Sequence, residues 1–115
     1  MSQENIVLCG SNSYEKKYYL DENFMALPQA IQDELKIMCV LYTEDVGGIL
    51  TLEFEEDGTL IFNVSFDEGD LLFDEIGSVL KIKQLQQEKR ELLESLELYY
   101  KVFYLREDAT KLLEE

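Results

Sequence analysis

The sequence predicts an α+β domain in ββαββα order, with a small, mainly antiparallel sheet, one core helix and a long C-terminal helix. Three observations predict it. Two stretches around Asp57-Gly58 alternate apolar and polar residues with a period of two, and two other stretches repeat apolar residues every three or four positions. The chain has 115 residues, 46% of them hydrophobic and one of them proline, which suffices for one core and is too short for two. Residues 1–106 are read as that single domain and 107–115 as an acidic C-terminal tail.

The elements follow from local chemistry. Ile6 to Cys9 and Lys16 to Leu20 are short β-prone runs around Gly10-Ser11-Asn12-Ser13, whose turn residues predict a pair of strands. Pro28 suits the first position of a helix, where its missing N–H costs nothing. Ile31, Leu35, Met38 and Tyr42 then recur on one helical face, and the helix is expected to end near Tyr42. After Gly47-Gly48, Leu50, Leu52 and Phe54 alternate with polar residues, as do Leu60, Phe62, Val64 and Phe66 with Ile61, Asn63 and Ser65. Asp57-Gly58 between them tolerates the positive φ of a tight turn, so the two runs are a hairpin with one wet face.

From Leu71 to Arg106 the period is helical and no proline interrupts it. A straight helix of that extent would reach roughly 54 Å, well beyond a domain whose radius of gyration is about 13 Å. Asp70 is the expected cap. The helix has two apolar zones, Leu71 to Leu85 and Leu92 to Leu105, separated by Gln86-Gln87-Glu88-Lys89-Arg90-Glu91. Either it breaks in that polar run and folds back on its own sheet, or its distal half pairs with a second copy of the chain, or its stripe awaits another protein. The interface residues of the second arrangement are Leu92, Leu96, Tyr99, Tyr100 and Phe103.

Composition removes whole classes of chemistry. The chain has no histidine, which excludes Ser-His-Asp and Cys-His nucleophile pairs, a histidine base and histidine-ligated metals. Cys9 and Cys39 are too few for a four-cysteine zinc site, and both sit in apolar runs as small buried hydrophobes. A reduced, cytoplasmic setting is expected. Met1 to Asn5 lack the positive charge of a signal peptide, and the longest apolar run, Ile37 to Tyr42, is far short of the roughly 20 residues that span a bilayer. Gly47-Gly48 lacks the context of a phosphate-binding loop. With 25 acidic residues some carboxylate pair is always close, so proximity alone does not argue for acid–base catalysis. The chain is therefore expected not to be an enzyme and to need no cofactor.

The net charge is −15, and it is polarised. Residues 47–75 hold nine acids and no base, whereas 76–106 hold six bases and four acids. Direct nucleic-acid binding is not expected, because that needs a concentrated basic surface. The densest acidic group is Asp67, Glu68, Asp70 and Asp74, the only candidates for a hard cation. The spacing fails the EF-hand pattern, since Leu72 stands where glycine is required and Ser78 where glutamate is required. Acids at a helix start are better explained as caps. Seven tyrosines, including Tyr18-Tyr19 and Tyr99-Tyr100, suit either the margin of a core or a protein interface.

Cys39 to Phe54, CVLYTEDVGGILTLEF, and Gly69 to Phe103, GDLLFDEIGSVLKIKQLQQEKRELLESLELYYKVF, resemble a family of small acidic bacterial proteins catalogued as a domain of unknown function. The resemblance runs from about Ile6 to Arg106 and implies a bacterial, cytoplasmic, standalone domain without implying an activity. The leading functional expectation is a protein-interaction module acting as a homodimer. The alternatives are an acidic regulator or DNA mimic that binds a basic partner, and a divalent-cation-binding protein.

Overall fold

Gly58 takes a φ of 91°, and around it the expected hairpin closes. In the computed structural model, which describes residues 5–105, the strands β1 (Ile6–Asn12) and β2 (Lys17–Leu20) come first. The helix α1 (Gln29–Val46) follows, then β3 (Ile49–Phe54), β4 (Leu60–Ser65), α2 (Glu75–Glu88) and α3 (Arg90–Phe103). A short 3-10 turn, Glu22–Phe24, leads into α1 and is capped by the Asp21 carboxylate. The observed order is thus ββαββαα, and the acidic segment 107–115 lies outside the described residues.

All strand pairs are antiparallel, in the spatial order β2-β1-β3-β4. The register places Leu50 opposite Val64, Leu52 opposite Phe62 and Phe54 opposite Leu60, so the alternating apolar residues share one face as their period requires. Cys9 and Ser11 join that face from β1, opposite Leu52 and Leu50, and Tyr18 and Leu20 extend it on β2. A bulge between Val7 and Cys9 adjusts the pairing of β1 with β3. Tyr19 points to the opposite, open face, so the adjacent tyrosines divide as strand alternation demands.

The covered face carries α1, whose Leu35, Met38 and Tyr42 are buried and whose Ile31 is half-buried. Pro28 is the residue just before the helix rather than its first residue, and the helix runs one turn past Tyr42 to Val46. Gly47 and Gly48 follow with φ of 85° and 73°. A Cβ on Gly48 would lie 2.8 Å from the Ser65 carbonyl oxygen, so a side chain is excluded there by space as well as by backbone conformation.

The single long helix from Leu71 to Arg106 is corrected. Its first turn is absent: Asp70 accepts from the Leu72 amide in a local turn, and Asp74 caps α2 by accepting from the Gly77 amide at 2.8 Å. Lys89, with φ −105° and ψ 20°, then separates α2 from α3 inside the polar run. The bend is fastened to α1 by the Lys89 ammonium, 3.3 Å from a Glu34 carboxylate oxygen. It lets Leu85 before the bend and Leu92, Leu96 and Tyr100 after it reach one core, which a straight helix crossing so small a sheet would not do.

Candidate functional site

The expected interface stripe on α3 is largely internal. Leu92, Leu96 and Tyr100 are buried within the domain's own core, and Tyr99 is half-buried against it. Four rings close on one another: Phe54 stacks on Tyr100 at 4.3 Å, Tyr100 on Tyr104 at 5.0 Å, Tyr104 on Phe24 at 5.2 Å and Phe24 on Phe54 at 5.6 Å. Such stacked pairs add about 0.5–1.5 kcal/mol each beyond the area they bury. Glu97 anchors the same helix to the sheet edge by accepting from the Leu60 amide at 2.8 Å. Of the five residues expected at an interface, Phe103 alone is exposed, and it packs on Tyr99 at 4.6 Å. A surface built on Leu92, Leu96 and Tyr100 would require α3 to leave its own sheet.

The unpartnered apolar surface lies one element earlier. Leu71 and Leu72 are each 94% exposed, and Ile76, Val79 and Leu80 on α2 are 77%, 55% and 61% exposed. The last three follow at spacings of three and four, so they form one helical face. The buried face of α2 is a different one: Leu85 enters the core, Ile82 packs against it, and Ser78 shares a buried hydrogen bond with Tyr42 of α1. Two apolar faces on one 14-residue helix exceed what packing against a single layer requires. Along the sequence Leu71 to Leu85 reads as one apolar zone, which conceals this surface. Sorting its residues into two faces was the signal available.

Charge runs along the same segment. Asp67, Glu68, Asp70, Asp74 and Glu75 precede the face with no base among them, and Lys81, Lys83, Lys89 and Arg90 follow it with Glu88 the one acid. Lys81 lies 3.7 Å from Asp45 of α1. An electronegative N-terminal end and an electropositive C-terminal end therefore flank the exposed Ile76, Val79 and Leu80.

The four cation candidates do not converge. Asp70 accepts a 2.5 Å hydrogen bond from the Tyr14 hydroxyl, which lowers its pKa despite some desolvation, and Asp74 is occupied as the helix cap. Tyr14 in turn accepts from the Asp67 amide at 3.0 Å, which closes the loop before α2 onto the β1–β2 turn. Among the described residues no group of three or more Cys, Asp or Glu side chains is arranged to hold a metal ion.

Cys9 and Cys39 are free, fully buried and 3.8 Å apart at sulfur. The hydrogen bond to Cys9, together with burial, pushes the Cys39 thiol far up, so the reactive thiolate is suppressed. Among the described residues no helix is long and apolar enough to cross a membrane. No curated protein and no solved structure matches this chain. A family model does: it spans residues 5–108, from the first strand past the end of α3, and the chain belongs to the family of unknown function designated DUF6145.

Proposed function

We propose that this chain is a non-enzymatic protein-interaction module that acts as a homodimer, joined through the outward face of α2. The observation that carries the reading is the exposed run Ile76, Val79 and Leu80 with Leu71 and Leu72 beside it in sequence. Apolar area of this kind on a monomer marks an interaction site. A second copy is the occupant because the segment complements itself. In a two-fold pairing with antiparallel helices, the acidic residues 67–75 of one copy meet Lys81, Lys83, Lys89 and Arg90 of the other. The two free, buried thiols favour a cytoplasmic setting for this dimer.

A second reading, an acidic surface for a basic partner, draws on the nine acids and no bases of residues 47–75. It uses the hairpin tip at Glu55, Glu56 and Asp57, all exposed, and leaves α2 free.

The test is the mass in solution by light scattering, for the unaltered chain and for a variant carrying Ile76→Glu and Leu80→Glu. A dimer that becomes a folded monomer in the variant is the expected result. A monomeric unaltered chain, or a variant dimer of unchanged affinity, contradicts the homodimer.

A further inference from the structure

We propose that the free edge of β4 binds an extended segment of another protein, which adds to the four-stranded sheet as a further strand and carries basic residues at both ends. The order β2-β1-β3-β4 leaves β4 with one neighbour. Its outward groups follow from the hairpin. The Glu55 amide donates to the Thr59 carbonyl, and from there the antiparallel register gives the backbone groups of Ile61, Asn63 and Ser65 to β3. Those of Leu60, Phe62 and Val64 point the other way. The Leu60 amide fixes the direction, since it donates to the Glu97 carboxylate rather than to β3. Among the described residues no hydrogen bond takes up the outward amides and carbonyls of Phe62 and Val64.

The two edges of the sheet differ. β2 has four residues and carries Lys17, with Lys16 before it, and a short, charged edge resists pairing. β4 has six residues, LIFNVS, with no charge, no proline and no bulge against β3. Burial agrees with an open side: Leu50 and Leu52 of β3 are fully buried, whereas Val64 and Phe62 opposite them on the same face are half-buried. An added strand covers them. Unpaired backbone groups beside a row of apolar side chains suit strand addition, in which the main chain supplies affinity and alternate side chains supply specificity.

Charge selects the occupant. Glu55, Glu56 and Asp57 precede β4, Asp67 and Glu68 follow it, and residues 47–75 hold no base. Antiparallel pairing with the β4 of a second copy brings the acidic turn of one copy beside Asp67 and Glu68 of the other, and like charges repel. A segment with apolar residues toward Phe62 and Val64 and lysine or arginine at its two ends meets opposite charge at both. The edge is distinct from the exposed face of α2, so the proposal stands apart from the homodimer. It shares the acidic hairpin tip with the basic-partner reading but adds backbone pairing along β4, which charge alone does not require.

The probe is a synthetic peptide with lysines at both ends and valine alternating with threonine between them, titrated into the ¹⁵N-labelled full chain. The expected result is saturable amide shifts centred on residues 60–65, with slowed hydrogen exchange at Phe62 and Val64. Replacing the lysines of the peptide by glutamates should weaken binding about tenfold. N-methylation of one alternate set of peptide amides should do the same and N-methylation of the other set should not, because only one set faces β4. Val64→Pro should also weaken binding about tenfold while keeping the circular dichroism of the unaltered chain, since the Val64 amide does not face β3. Absent or scattered shifts, or equal binding of the glutamate peptide, overturn the proposal. An equal effect of the two methylated sets overturns the edge and leaves the basic-partner reading standing. Shifts at residues 60–65 that grow with protein concentration before any peptide is added would place a second copy on the edge, which also overturns it. The peptide comparisons use the unaltered chain, so a proline variant that fails to fold leaves the test intact.

Discussion

Tyr42 and Ser78 form the polar joint between α1 and α2, and both are buried. Removing one hydroxyl leaves the other without its partner, whereas removing both leaves nothing unsatisfied. Tyr42→Phe is expected to cost about 1–3 kcal/mol in urea unfolding. Adding Ser78→Ala to it should cost less than the sum of the two single changes, and strict additivity would show that the joint is not coupled. On the open face of the sheet, Glu53 is subject to opposing effects. Burial raises its pKa, but hydrogen bonds from Thr51 at 2.6 Å, Asn63 at 3.0 Å and Asn5 at 3.3 Å outweigh burial and hold the carboxyl below its ordinary 4.5. A carboxyl lowered by folding contributes stability above its unfolded pKa and loses it as pH falls through the folded value. Glu53→Gln should therefore flatten the fall in stability below about pH 4.5 relative to the unaltered chain. Parallel urea midpoints for the two proteins from pH 6 down to pH 3 would contradict this assignment.

The elements differ in how much of them local sequence determines. Leu96 of α3 is buried in the core, so Leu96→Ala should cost about 2–5 kcal/mol and lower the thermal midpoint. A change near zero in calorimetry would mean that α3 does not pack on the sheet in solution. The hairpin of β3 and β4 was legible because period-two alternation and Asp57-Gly58 are local signals that the register then obeys, although Phe66, which continues the alternation in sequence, lies beyond β4 and is exposed. The inward face of α1 was legible for the same reason. The bend at Lys89 was legible as one of three alternatives. Gln86 to Glu91 are all good helix formers, so nothing in their propensity stops the helix, and only the sheet beneath decides where it turns. The start of α2 was misplaced because Leu71 and Leu72 fit a helical period although they extend into solvent. Asp70 and Asp74 are equally good caps by residue type, and the choice between them rests on contacts with the β1–β2 turn, more than fifty residues away in sequence. The Leu92, Leu96 and Tyr100 stripe was correctly recognised as apolar. A heptad-like stripe looks the same whether it meets its own sheet or another copy, and that ambiguity hid the exposed face of α2.

At the scale of the described molecule, one four-stranded sheet is covered on one side by α1 and α3, α2 packs against those two helices, and the charges are unevenly distributed. The net charge of −15 opposes any association of like copies. The proposed antiparallel α2 pairing would offset this locally by matching acidic and basic ends, while Ile76, Val79 and Leu80 would supply apolar contact that salt does not screen. In that arrangement Leu80 lies near the two-fold axis and faces its own counterpart, whereas Leu98, exposed on α3, does not. The most direct measurement is mild oxidation of Leu80→Cys beside Leu98→Cys, read as covalent dimer on a non-reducing gel; the native thiols are buried. Rapid, near-complete cross-linking of the Leu80 variant alone is the predicted result. Equal slow cross-linking of both variants, or none at Leu80, would contradict the α2 dimer.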